Sequence, residues 1–401
     1  MISTKSNIFA LPHTFFNQNP KEVIGELQEA GLTGINLALN YHASRDFLLR
    51  QGPRLEYLKD GFHYYRPNIS SYDRDGLAPS VKDSLPSSEM LEAVISCAED
   101  LDFEINAWAV FLHNSALTQE RPDTTCVNVY GNHFLSELCP ANPEVRRYVS
   151  GLTRDLSSRG ISSLAIESLH FHGTNHGEHH ERFFLEMSPI TSFLFSLCFC
   201  QSCMDLFSNR GGDPHSLRAR IIELLKPFLE SQDSWLDAEL TKENLQEIVG
   251  SDLLDYLLMR EEAVTSLYRE VSEVAHVSHV RTSFIDQSPL INLSDQEPLY
   301  SSWRTGVNPA EVRQNVDRYE PLIYRKTPAE VESIAIHYKE IVGGEIVPIL
   351  RPTYPDNRTQ ESLLEKVGRL KKVGIFGIDF YLLDTMRARD LGWINQALNH
   401  E

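Results

Sequence analysis

The sequence predicts an α/β fold, a (β/α)8 TIM barrel with a helical insertion after the fourth strand. Eight short runs rich in β-branched and aromatic residues recur along the chain, with amphipathic helical patterns between them. No G-x-G-x-x-G motif follows the first run, so nothing favours a dinucleotide-binding open sheet. The strand-like runs are IFALPHTFF (8–16), GINLALNYH (34–42), FEINAWAVFLHN (103–114), SSLAIESLHFH (162–172), HVRTSFID (279–286), PLIYRK (321–326), IVPILRPTY (346–354) and GIFGIDFYLL (374–383). Helical patterns occupy 20–31, 86–102, 142–160, 327–344 and 359–374, with apolar residues at spacings of three and four and Pro, Thr and Gly as boundary signals. Right-handed crossovers between eight such strands close a barrel more readily than they extend an open sheet.

Two stretches break the repeat. Residues 43–85 are long and contain LEYLKDGFHYYRP, read as a hairpin or extended excursion on the face of the barrel mouth. Residues 173–278 hold helical patterns around 189–209, 216–231 and 244–276, expected to cap the mouth. No Gly/Ser or Pro linker separates them, so the chain reads as one domain over 1–401.

A chain of 401 residues with 41% apolar content buries a large core. Its formal charge of −19 repels phosphate, which argues against nucleic acid or an anionic membrane as partner and fits a neutral ligand better. MISTKSNIFALPHTFF has no continuous apolar core of a signal peptide, and no apolar run reaches the roughly 18 to 20 residues that cross a bilayer. A soluble, cytoplasmic protein is expected, with homo-oligomerisation left open.

In a barrel, polar residues at strand ends point into the mouth. Glu167 ends SSLAIE, a run of apolar residues, where a carboxylate is costly unless used or paired. Pairing with Arg281 or Arg351 is the structural alternative. Asn40, His42, Trp108, His113, Asn114, His170, His172, Tyr324, Arg351 and Tyr381 end other runs. This set suits a sugar, whose hydroxyls take directional hydrogen bonds and whose C–H face packs on aromatic rings. Trp303 is a second stacking candidate. Glycoside hydrolysis needs two carboxyls, and Asp286 is the first choice to partner Glu167, ahead of Asp356 and Asp379.

HFHGTNHGEHHE (170–181) is dense in His, with His176 and His180 at an i, i+4 spacing, but H-E-x-x-H is absent and two glycines break the helical pattern. A substrate-contacting loop is the reading preferred over a catalytic metal site. Cys198-x-Cys200-x-x-Cys203 can converge on one structural zinc, with Cys126 as fourth ligand and Cys139 also available. The alternative is that these cysteines only pack.

YHASRDFLLR, HYYRP, FLHN, the LCPANP stretch, AIESLHFHGTNHGEHHE and LCFCQSC together resemble a set of uncharacterised glycoside-hydrolase-like barrel proteins. The C-x-C-x-x-C element is also similar to the zinc-binding cysteine cluster of glycoside hydrolase family 42 β-galactosidases. That likeness implies an acid/base Glu at the end of strand four, where Glu167 stands, and a nucleophilic Glu on strand seven. Here strand seven reads IVPILRPTYPD and ends without a Glu. The expected function is thus a carbohydrate-active enzyme, a glycoside hydrolase with Glu167 as general acid/base and no cofactor required for chemistry. The alternatives are a metal-dependent sugar isomerase or epimerase, or a sugar-binding barrel without catalysis.

Overall fold

Eight parallel strands form the core of the protein, seen here in a computed structural model that describes residues 5–173, 182, 184–231, 238–291 and 301–399. They are β1 (Asn7–Ala10), β2 (Gly34–Tyr41), β3 (Glu104–Val110), β4 (Ser163–Glu167), β5 (Arg281–Asp286), β6 (Arg318–Pro321), β7 (Ile349–Leu350) and β8 (Asp379–Phe380). Each pairs with its successor in the chain. Ile8 opposite Phe380 joins β8 to β1, and the Leu322–Ile349 bridge joins β6 to β7, so the sheet closes into a TIM barrel.

All eight expected strands are present, shorter than their apolar runs suggest, because a run continues past the strand into the loop it anchors. The sixth differs most. Its ladder spans Arg318–Pro321 rather than 321–326, which leaves Tyr324 beyond the strand end.

Helices surround the sheet, and their ends follow the boundary signals. Asn19 and Asn142 cap Pro20–Glu29 and Pro143–Ser157 through their side chains. Thr327 and Glu330 form a reciprocal capping box on Pro328–Val342, which ends at Gly343 in the left-handed conformation. The excursion after β2 is a hairpin, Ser44–Leu48 paired with Arg54–Leu58. Between β4 and β5 stand Pro189–Ser196, Gln201–Asn209, Pro214–Ser231, Lys242–Val249 and Ser251–Val277. The last packs against Pro143–Ser157 and leads directly into β5, so part of this stretch belongs to the outer helical ring. Among the described residues no single helix is long and apolar enough to cross a membrane.

Side chains alternate across each strand, and the inward set is layered. The lower layer is polar. Asp379 accepts from the Asn7 backbone N–H at 2.8 Å, Arg318 at 3.0 Å and Asn36 at 3.1 Å. Asn36 in turn accepts from Asn106 at 2.9 Å, and Asn106 from Ser163 at 2.7 Å. This chain of bonds ties β8 and β6 to β1, β2, β3 and β4. Above it lie Phe9, Ala38, Trp108, Ala165, Ile285, Leu322 and Ile349, an apolar layer that separates the polar floor from the mouth.

Asp379 is fully buried, and its carboxylate is the acceptor on which three strands converge. Asp379→Ala should therefore destabilise the fold by about 3 kcal/mol or more, since it strands the buried Arg318 charge and two Asn donors. Chemical denaturation of the two proteins measures this.

Candidate active site

The inward position four residues past Ser163 is Glu167, at the carboxyl end of β4. There the chain turns sharply, with Ser168 at φ +57°, a left-handed conformation that non-glycine residues seldom adopt. The residue is 7% exposed. Trp108, on the same inward row as Asn106, donates its indole N–H to one oxygen at 2.5 Å. Gln287 donates to the other at 2.6 Å. Burial raises the Glu167 pKa above the ordinary carboxylate range, and the opposing pull of His42, Trp108, His113 and Gln287 does not cancel it. A carboxyl that keeps its proton longer than usual, at the mouth of a barrel, can give that proton to a ligand.

Aromatic rings wall the site. Trp108 meets Phe9, Tyr41 and Tyr381 edge-on, with centroids 5.1, 4.6 and 5.8 Å apart. The Tyr41 and Tyr381 hydroxyls lie 3.3 Å from each other. Tyr324 stands 5.8 Å from Tyr381 and carries the Arg351 guanidinium over its ring at 4.4 Å. On the other side His42 stacks on Tyr41 at 4.0 Å and meets His113 at 5.4 Å. His113 faces Asp60 at 3.7 Å and His172 at 6.2 Å, and His172 in turn lies 4.7 Å from His170. Burial opposes ionisation of Asp60, but His113 and Ser115 outweigh it and hold its pKa low.

Of the sequence candidates, Glu167, His42, Trp108, His113, Tyr324 and Tyr381 gather at the mouth, and Arg351 joins them through Tyr324. Others do not. Asp286 points outward, against expectation, because it sits one residue out of phase with the inward row Arg281, Ser283, Ile285 and Gln287. Its carboxylate accepts from Tyr319 at 2.5 Å and from the Ser288 N–H at 2.8 Å. Asn40 donates to the Val110 carbonyl at 2.6 Å within a bulge of β2. Asn114 is a helix cap, accepting from Leu117 N–H. His170 is buried and bonded to the Phe171 carbonyl. Trp303 packs on Phe193, away from the mouth.

Arg351 is the inward residue after β7, and it holds Asp356 bidentately at 2.7 and 2.9 Å. The Glu expected there from the β-galactosidase likeness thus has no counterpart at that place. His176 and His180 lie outside the described residues.

Sequence reasoning missed Tyr41 and Gln287. Strict alternation from Arg281 would have found Gln287. Tyr41 was hidden by the bulge between Ala38 and Asn40, which shifts the inward phase by one residue.

Apart from the mouth, four buried cysteines converge. The Cys139 sulfur lies 3.5 Å from those of Cys200 and Cys203 and 3.9 Å from that of Cys198, and the four sulfurs lie within 4.8 Å of one another. They could hold a metal ion. The fourth member is Cys139, not Cys126, because the hairpin Thr125–Val127/His133–Leu138 carries Cys139 at its exit; Cys126 sits alongside.

Solved structures similar to this chain include three glycoside hydrolases. The PgaB (BpsB) glycoside hydrolase domain from Bordetella bronchiseptica superposes with a TM-score of 0.61 at 11% identity, covering all of both chains. A catalytic mutant of Gan42B, a GH42 β-galactosidase from G. stearothermophilus, gives 0.58 at 10% identity over 99% of this chain. The β-galactosidase from the psychrophilic Marinomonas ef1 gives 0.56 at 10% identity over 98%. The chain spans 57% and 59% of those two β-galactosidases. At such identities the likeness shows a glycoside-hydrolase-like barrel fold. No protein-family model and no curated protein matches the sequence.

The contacts of Glu167 give a direct electrostatic expectation. Trp108 and Gln287 both favour its ionised form, so Trp108→Phe or Gln287→Leu should raise its pKa further. NMR titration of carboxyl-labelled protein, with Glu167→Gln to assign the resonance, checks the direction.

Proposed function

We propose that this protein is a glycoside hydrolase in which Glu167 protonates the departing glycosidic oxygen. One observation carries the reading: a buried carboxyl with a raised pKa at the end of the fourth barrel strand, facing a mouth lined by Trp108, Tyr41, Tyr324 and Tyr381. The aromatic rings suit the C–H faces of a sugar, and His42, His113 and the tyrosine hydroxyls suit its oxygens.

The test is turnover on 4-nitrophenyl glycosides and unmodified disaccharides. Glu167→Gln keeps the shape and removes the transferable proton, so the loss should be about 100- to 10,000-fold on disaccharides and small on nitrophenyl glycosides, whose leaving group needs little protonation. A proton donor must be protonated, and its pKa is raised. Wild-type kcat/KM should therefore fall as pH rises through the Glu167 pKa, and this alkaline limb should vanish in the variant. Turnover of none of these glycosides by the wild type, or equal losses on both substrate types, would count against the assignment.

The cysteine cluster is read as a structural zinc site, with Cys139, Cys198, Cys200 and Cys203 as ligands. Purified protein should contain about one equivalent of zinc. Cys139→Ser should lower the melting temperature and the zinc content, whereas Cys126→Ser should keep the metal. Metal-free protein of equal stability would show that the cysteines only pack.

A further inference from the structure

Hydrolysis needs a second carboxylate, and neither β5 nor β7 supplies one. Several buried or half-buried acids near the mouth are already engaged, and Glu137, bridged to His113, lies buried beside Gly173 and the cysteine cluster. Asp356 holds Arg351, and Asp60 accepts from the Ser115 backbone and hydroxyl. Asp384 accepts from the Leu11 N–H at 2.6 Å, and Asp379 belongs to the floor. Glu56 is held by Arg54 at 3.3 Å and lies 3.7 Å from His13. Asp46 is different: its described hydrogen bond comes from Ser44, two residues away on its own strand, at 2.6 Å.

The hairpin that carries Asp46 is pinned over one side of the mouth. Leu49 and Arg50 donate backbone N–H groups to the Asp384 carbonyl, and Gln51 donates to the carbonyls of His13 and Thr14. Leu48 and Leu58 pack into the mouth cluster with Phe9, Leu11, Tyr41 and Trp108. The hairpin thus lies against the loops after β1 and β8. Its two faces differ: Arg45, Phe47, Leu55 and Tyr57 are exposed, while Asp46 and Glu56, opposite each other in register, are half-buried. Arg54, on the same inward face, answers the charge of Glu56, whereas the described hydrogen bond of Asp46 comes from the neutral Ser44.

The hairpin leaves β2 and is pinned to the loops after β1 and β8, so Asp46 approaches the Tyr41–Tyr381 pair from that side of the mouth, while Glu167 approaches it from β4. Both carboxylates bear on that pair. Tyr41 and Tyr381 are raised by burial above all, and Glu167 and Asp46 each add to the effect.

We propose that Asp46 is the second carboxylate of the site, the base that takes a proton from the attacking water. This rests on the reading of Glu167 as proton donor. In one step, the water oxygen bonds to the anomeric carbon and its proton passes to Asp46. The glycosidic C–O bond breaks at the same time, its electron pair stays on the leaving oxygen, and that oxygen takes the proton of Glu167. Solvent exchange then returns both carboxyls to their starting states. A base that activates water goes with inversion of configuration, for which the two carboxyls stand about 6.5–9.5 Å apart, rather than the about 5–5.5 Å of retention.

The experiment compares Asp46→Asn and Glu167→Gln with wild type on a disaccharide and a 4-nitrophenyl glycoside, and follows the product anomer by NMR. Water activation is needed whatever the leaving group, so Asp46→Asn should lower kcat about 100- to 10,000-fold on both substrates, with KM and melting temperature little changed. Asp46→Ala should regain activity in sodium formate, which supplies a carboxylate. The first-formed product should carry the inverted configuration. Asp46→Asn turnover within about tenfold of wild type, or a retained anomer, would overturn the role of Asp46 while leaving Glu167 untouched. Undiminished turnover by Glu167→Gln on both substrates, or none by wild type, would overturn the proton-donor reading and the pairing with it.

Discussion

The barrel depends on a carboxylate buried in its polar floor, below the mouth. Asp379 gathers donors from β1, β2 and β6, and the Asn36–Asn106–Ser163 bonds extend its reach to β4. Removing such groups from water is expensive, and the expense is met only when every partner is in register. A slip of one residue in any of these strands would place an Asn among the outer helices and an apolar side chain in the floor. The floor thereby sets the phase of everything above it. Trp108 stands two residues past Asn106, Tyr381 two past Asp379, and Glu167 four past Ser163, so the site inherits its alignment from bonds one and two layers below. Glu320 shares this floor with Arg318 at 3.3 Å, and burial pushes its carboxyl up to about 8.

Much of the fold was legible because apolar runs and helical caps are local signals. Each of the eight strands falls on or beside a predicted run, and Asn142, Thr327 and Thr359 cap the helices that follow them. The register of the site was harder to read. Asp286 and Gln287 are neighbours with opposite directions, and only pairing decides which faces the mouth. The β2 bulge hides Tyr41 in the same way. Asp46 was invisible for another reason: it comes from a hairpin whose place over the mouth is set by bonds to the β1 and β8 loops, contacts between residues far apart in sequence.

The electrostatics of the mouth follow from unequal burial. Burial favours the neutral form of Glu167, and the Trp108 and Gln287 donors oppose this without cancelling it. Asp60, with His113 and the Ser115 donors, moves the other way. Two acids at one mouth are thus driven apart by what surrounds them, the arrangement that lets a barrel keep one carboxyl protonated while others stay charged. The formal charge of −19 agrees with a neutral ligand in such a mouth.

The central claim is that a glycosidic linkage sits against Glu167. The most direct measurement is a crystal structure with a sulfur-linked disaccharide, which resists hydrolysis. The account predicts the bridging sulfur at roughly hydrogen-bond range of a Glu167 oxygen, with a sugar ring against Trp108 or the Tyr41–Tyr381 pair. A disaccharide bound only elsewhere, for instance in the outer groove lined by Arg146, Arg210 and Arg269, would contradict it.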